Sequence, residues 1–248
     1  MTIALRSFVI LLERDARRVK NVRENVITQL PECEVWSATD SQSQKVDDLV
    51  NNGPLVITPR YRRRLTRAKV AVTMSHLRLW KKIVAEHIDL ALIFEDDVKV
   101  VADFREKLAD VLFEVPEDYH VIYLYVHPRQ FRPDRPENRL PGKEYVMRHS
   151  YTYFRLAYVL TREGAQRLID YFHTLFDHGD IMINKAIEDG VINAYMSRRI
   201  LVHNLGQSTS LYSGETLPSN IWDPPTHLSI MRRRLVGFCN NVRNRSGA

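Results

Sequence analysis

The sequence predicts an α/β protein built on one mostly parallel sheet flanked by helices. Three observations carry that expectation. The run Leu90-Ala91-Leu92-Ile93-Phe94 is continuously apolar, the pattern of a strand buried on both faces of a helix-covered sheet. Near the N-terminus, strand-like residues 7–12, helix-like residues 16–29 and strand-like residues 34–38 follow one another, which is how nucleotide-binding sheets begin. At 248 residues, 44% apolar and 27% charged, the chain has the size and composition of one well-buried domain.

The elements follow in order. Asp15 is the expected N-cap of the first helix, and Pro31 closes it. The second strand ends at Thr39-Asp40, and Asn52-Gly53-Pro54 marks a turn. Residues 60–69 hold six basic side chains in ten, either a solvated face or a clamp on a diphosphate or acidic acceptor. Leu77, Trp80, Ile83, Val84 and Ile88 keep helical spacing over 73–88, with Thr73 or Ser75 as the cap. A helix over 103–112 stops before Pro116, and residues 120–125 form a strand. Residues 127–142 hold four prolines and interleaved arginines. Prolines exclude regular structure there, and a loop of that length reads as a mobile lid or acceptor loop. Residues 157–160 form a short strand, and Thr161 caps the helix after it. Asp177-His178-Gly179-Asp180 opens a last amphipathic helix, and residues 191–202 are edge-strand material. The basic tail from 215, with Leu235, Val236 and Phe238, reads as a packed helix or a surface-lying amphipathic segment. This gives a domain over 1–214 and a basic extension over 215–248.

A net charge of +6 favours anionic partners, whether nucleotide phosphates, an acidic membrane surface or nucleic acid, and does not choose among them. Cys33 and Cys239 have no CxxC spacing and read as ordinary thiols of a reducing compartment. The apolar run 8–12 is too short for a signal core, and no stretch reaches the length of a membrane span. A cytoplasmic protein is expected, with possible peripheral contact at an acidic membrane face.

The most informative residues follow the buried strand. Glu95-Asp96-Asp97 places three carboxylates together with no counter-charge before Lys99. Like charges held close raise one another's pKa, so something positive belongs there. In extended chain Glu95 and Asp97 face one ligand while Asp96 turns away. Hard oxygen ligands at the carboxyl end of an α/β strand suit Mg²⁺ or Mn²⁺ with phosphate oxygens. The other reading is an acidic helix N-terminus complementing its dipole.

Ser75-His76-Leu77-xx-Trp80 followed by Leu92-Ile93-Phe94-Glu95-Asp96-Asp97-Val98 resembles the central signature of glycosyltransferase family 25, which includes lipooligosaccharide and collagen galactosyltransferases. The opening strand with Glu13-Arg14, Ala38-Thr39-Asp40, Ala157-Tyr158 with Gly164-Ala165, and Asp180 fall in the family's order, over about residues 8–207. Leu11 departs from the family's usual Asn, and residues 68–72 depart from its Gly-rich segment. The resemblance implies a single GT-A-like nucleotide-sugar-binding domain that moves a sugar from a nucleotide-diphosphate donor. That donor is expected to be a galactose-like UDP-sugar, and the acceptor a glycan or glycolipid hydroxyl, with inversion and with Mn²⁺ or Mg²⁺. Lipooligosaccharide, polysaccharide or glycoprotein glycan synthesis is the implied setting. Leu12, Arg14, Asp40, His76, Glu95 and Asp96 are then expected at the donor. Asp97, Glu95 and His203 are expected at the metal, and Asp180 is the implied base. A rival reading is a metal-dependent phosphotransferase or nuclease using the same acidic cluster. No nucleic-acid motif accompanies the basic runs, so no nucleic-acid partner is expected. A silent nucleotide-sugar-binding domain is the third reading.

Overall fold

A computed structural model of the chain describes residues 5–43, 46, 48, 56–58, 60, 66–127, 135–149 and 155–205. The expected boundary at 214 and the extension 215–248 lie outside the described residues, as do 61–65 of the basic run and 128–134 of the proline-rich stretch.

Strand β1 (Leu5–Leu11) leads into helix α1 (Ala16–Val22). Asp15 caps α1 as expected, its Oδ1 accepting from the N–H groups of Arg17 at 3.1 Å and Arg18 at 3.3 Å. The helix continues as a wider π turn over Arg23–Ile27 before β2 (Glu34–Ser37). A two-residue strand β3 (Val56–Ile57) precedes the long helix α2 (Arg67–Ala85), which delivers into β4 (Leu90–Glu95). Then come β5 (Val98–Val100), α3 (Phe104–Glu114), β6 (Val121–Tyr123), a 3₁₀ turn over Pro136–Asn138 and β7 (Val146–Arg148). The described part ends with β8 (Ala157–Thr161), α4 (Arg162–Tyr171), β9 (Thr174–Leu175), α5 (Gly179–Glu188), β10 (Ala194–Ser197) and β11 (Val202–Asn204).

Seven strands form the central sheet in the order β2-β1-β4-β8-β6-β10-β7. Following the pairings across it, β2, β1, β4, β6 and β10 run one way, while β8 and β7 run against them. The sheet is mostly parallel, as expected, with one antiparallel strand inserted beside β4. The residues of β4 alternate between two cores. Ala91 and Ile93 join Leu77, Trp80, Ile83, Leu168 and Ile183 on the face covered by α2, α4 and α5. Leu90, Leu92 and Phe94 join Val22, Phe104, Leu108 and Val111 on the face covered by α1 and α3. Burial on both faces is what the unbroken apolar run requires. Trp80 locks the first layer by meeting Phe172 edge-on at 5.2 Å.

Two sequence expectations are corrected. Helix α2 begins at Arg67 with Thr66 as its cap, accepting from the Lys69 N–H at 3.2 Å. Thr73 and Ser75 lie inside the helix and return their hydroxyls to the carbonyls of Lys69 and Ala71. Residues 191–202 are not all edge material either. The strand β10 is interior, flanked by β6 and β7, and its four residues are buried. Among the described residues no helix is long and apolar enough to cross a membrane.

Cys33 is buried, and burial pushes its thiol up to about 12. The folded chain therefore keeps this thiol neutral where the unfolded chain ionises it, near pH 8.5. That part of the stability is complete below pH 8.5 and is lost as pH rises toward 12. Cys33→Val should flatten the alkaline decline of stability between pH 9 and 11 relative to the wild type. Urea melts of the two proteins check it, and parallel declines would remove Cys33 as a contributor.

Candidate active site

Strand β4 ends on Glu95 and β5 begins at Val98, so Asp96 and Asp97 form a turn between buried strands. Each of the three carboxylates has a different environment.

Glu95 Oε1 lies 3.1 Å from His76 Nε2, and His76 Nδ1 lies 2.8 Å from the Tyr158 hydroxyl. The indole N–H of Trp80 donates to that hydroxyl at 2.9 Å. The Tyr158 O–H is thereby left to donate to Nδ1, which assigns the imidazole proton to Nε2, facing Glu95. Burial holds His76 neutral, its pKa pushed down to about 4. Burial also opposes the charge on Glu95, yet His76, Arg155 and Arg18 keep that carboxyl below the ordinary range.

Asp96 turns inward. Its Oδ1 pairs with Arg18, and its Oδ2 accepts from the Leu12 N–H at 3.2 Å. Asn21 Nδ2 donates to the carbonyls of Asp96 at 2.7 Å and Val98 at 3.3 Å. Helix α1 thus clips the turn by two side chains one helical turn apart. Both Asp96 oxygens and the Leu12 N–H, expected at the donor, are engaged within the protein.

Asp97 is the exception. It is 5% exposed, and its Oδ1 is buried with no hydrogen-bond partner among the described residues. Burial, then Glu95 and Asp96, push its carboxyl up to about 7. The Asp97 carbonyl accepts from the Leu205 N–H at 3.0 Å, and nearby Asn204 is hydrogen-bonded to Tyr125, which feels the Asp97 charge. His203 sits on the exposed side of the same ladder, opposite Lys99. The structure does not bring it together with Glu95 and Asp97. Among the described residues no three His, Cys, Asp or Glu side chains are grouped to hold a metal ion. The donor chemistry still fits a hard divalent ion, because Asp97 offers an unpaired carboxylate oxygen beside two further carboxylates. Mg²⁺ takes one or two protein carboxylates and fills its remaining positions with phosphate and water.

Asp180 stands in the first turn of α5, and its Oδ1 accepts from Arg155 Nε at 2.5 Å. Burial and the Glu95 charge raise its pKa while Arg155 pulls it down, and the net direction is upward. Arg14 and Asp40 meet at 2.6 Å across the carboxyl ends of β1 and β2. Burial opposes the Asp40 charge, but the Gln42 N–H and Arg14 hold it below the ordinary range. Arg67 reaches the same edge, bonding the Ser41 carbonyl at 2.7 Å. Arg18, Asn21, Tyr158 and Arg155 were missed as site residues from sequence. Arg18 and Asn21 share one α1 face with buried Val22, a spacing that marks them as inward-pointing. Arg155 carries no such signal.

The region matching glycosyltransferase family 25 (LPS biosynthesis protein) covers residues 4–183. The chain belongs to that family. Mouse procollagen galactosyltransferase 2 (Mus musculus) is 26% identical over 243 residues, covering 88% of this chain and 38% of the relative. A bovine relative (Bos taurus) named probable inactive glycosyltransferase 25 family member 3 is 27% identical over 244 residues, covering 87% of this chain and 39% of its own. The chain therefore spans about four tenths of the length of these relatives. Among solved structures, a Drosophila β1,4-galactosyltransferase 7 mutant in complex with manganese, UDP-Gal and xylobiose is 10% identical with a TM-score of 0.41. That match covers 88% of this chain and 78% of the other.

Arg18→Met should cost about 3–5 kcal/mol of stability, because it leaves Asp96 buried and unpaired. Adding Asp96→Asn should return much of that loss. Urea titrations of the single and double variants check both statements, and equal losses in the two would contradict the buried-pair account.

Proposed function

We propose that this family 25 chain is a metal-assisted glycosyltransferase, moving a sugar from a nucleoside-diphosphate donor to a hydroxyl of a glycan or glycolipid with inversion. The observation that carries the reading is the buried Asp97 Oδ1, which has no hydrogen-bond partner among the described residues, at the carboxyl end of a strand buried on both faces. Asp97 would hold Mg²⁺ or Mn²⁺, with Glu95 beside it. A divalent ion bound there supplies positive charge where the leaving diphosphate gains negative charge.

The chain's own residues have the remaining tasks. His76 keeps Glu95 ionised and oriented, and Arg18 with Asn21 fixes the turn that presents Asp97. Arg14 and Asp40 take the nucleotide at the ends of β1 and β2. Asp180 accepts the proton of the acceptor hydroxyl as its oxygen bonds to the anomeric carbon. The bond from that carbon to the diphosphate oxygen breaks on the opposite face, and the nucleoside diphosphate leaves with the electron pair. The galactosyltransferase names among the relatives support a galactose-like UDP donor. Lipooligosaccharide, polysaccharide or glycoprotein glycans are the acceptors in this reading. The composition supports a cytoplasmic place of work, with the basic segment 215–248 against an acidic membrane face. The bovine relative named probable inactive favours one second reading, a domain that binds a nucleotide sugar without turning it over.

Calorimetric titration with UDP-galactose, UDP-glucose and UDP-N-acetylglucosamine, with and without Mn²⁺, tests the function. UDP release reports turnover in the same samples. One donor should bind in a Mn²⁺-dependent way and turn over. Binding without turnover for any acceptor supports the silent reading, and no binding of any donor contradicts both.

Asp97→Ala should abolish metal-dependent binding and lower transfer by roughly 10²–10³-fold. It should leave melting unchanged or raised, since like-charge crowding is relieved. Near-wild-type turnover with intact Mn²⁺ dependence would remove Asp97 from the metal site. Asp180→Asn should keep donor and Mn²⁺ binding while kcat falls by roughly 10²–10⁴-fold. Loss of donor binding and stability together would instead make Asp180 a structural residue of α5.

A further inference from the structure

The Arg155 guanidinium sits in an unusual place. Its side chain is 5% exposed, and it lies just before β8, where the Leu156 carbonyl accepts the Glu95 N–H at 2.8 Å. That backbone bond anchors Arg155 beside the acidic turn. Its Nε donates to Asp180 Oδ1 at 2.5 Å, while its Nη1 is buried with no partner among the described residues. A buried guanidinium with an unused donor is costly for stability alone. Among the described residues its one ion-pair partner at hydrogen-bond distance is the carboxylate assigned as base. Among these residues Arg155 holds that carboxylate through Oδ1, and the Asp180 side chain keeps 20% exposure.

The seat of the guanidinium is equally specific. A Cβ at residue 179 would lie 2.5 Å from Arg155 Nη2, 2.7 Å from Nη1 and 2.8 Å from Cζ. The guanidinium therefore lies against the α-carbon of Gly179, the residue next to Asp180. Gly179 has no positive φ among the described backbone, so it is glycine for space and not for conformation. An alanine there displaces Arg155 without changing a charge.

We propose that Arg155, seated on Gly179, is a positioning residue for Asp180. It fixes the carboxylate through Oδ1 and leaves Oδ2 to the acceptor hydroxyl. This inference rests on the reading of Asp180 as the base.

The test is a coupling measurement on the full chain, with UDP-galactose and Mn²⁺ as probes and UDP release as the readout. Gly179→Ala should lower kcat by about 10²-fold, the scale of a misplaced catalytic group. Donor KM and calorimetric affinity for UDP-galactose with Mn²⁺ should stay within about two-fold. In an Asp180→Asn background the same Gly179→Ala change should cost almost nothing further in kcat. Arg155→Lys, which keeps the charge and loses the Nε contact, should repeat the pattern and serves if Gly179→Ala does not fold. A kcat loss of equal size in both backgrounds overturns the positioning role while leaving Asp180 as base intact. Full turnover of Asp180→Asn alone overturns the base reading, and this inference with it.

Discussion

The fold depends on how three adjacent carboxylates are accommodated at the end of a strand that has no exposed face. Phe94 is fully buried, and Asp96 and Asp97 are 5% exposed. Water therefore does little to screen the charges of Asp96 and Asp97, and each must find its own partner or remain uncompensated. Glu95 takes a neutral imidazole, and Asp96 takes the Arg18 guanidinium and a backbone N–H. Asp97 is left with an unpartnered oxygen and a raised pKa. The protein satisfies two of the three internally and holds the third as a standing demand for positive charge. That asymmetry distinguishes a site from a merely acidic turn.

The sheet layout explains why these partners converge. The strands β1 and β4 are parallel neighbours, so their carboxyl ends lie side by side, and α1 leaves β1 directly above the acidic turn. Helix α2 runs into β4 and carries His76 back beneath Glu95. The antiparallel strand β8 enters beside β4 at that same end, bringing Arg155 at its start and Tyr158 one turn of the ladder further. The start of α5 then meets Arg155 through Gly179 and Asp180. Helices α1 and α2 are tied to this strand end by side-chain bonds, the start of β8 by a backbone bond, and α5 through Arg155. The hydroxyl of Tyr158, joined to both Trp80 and His76, connects this polar cluster to the apolar core below it.

Much of this was legible because it depends on local pattern. A short unbroken apolar run followed by a charged turn reads as a strand with both faces covered, and β4 is one. Asp15 and Thr161 were readable as caps because a short polar side chain before a helix has one favourable use. The start of α2 was misread because Thr73 and Ser75 look like caps, and only their back-bonds to the carbonyls four residues earlier show otherwise. The interior place of β10 depends on β7 taking the edge, a pairing distant in sequence. Charged residues were the hardest to read. Arg18 is marked inward only by sharing a helix face with Asn21 and Val22, and no local signal tells the buried Arg155 from a solvated arginine. His203 was expected at the metal from the family resemblance, and the register opposite Lys99 sets it on the exposed side.

The central claim is that the unpaired oxygen of Asp97 is where a divalent ion and the donor diphosphate meet. The most direct measurement is a crystal structure of the chain with UDP and Mn²⁺, with manganese located by its anomalous signal. The account predicts a manganese peak about 2.1 Å from an Asp97 carboxylate oxygen and bridged to the diphosphate, with Asp96 still paired to Arg18. A manganese ion bound elsewhere, or a UDP diphosphate seated away from the acidic turn with Asp97 unliganded, would contradict it.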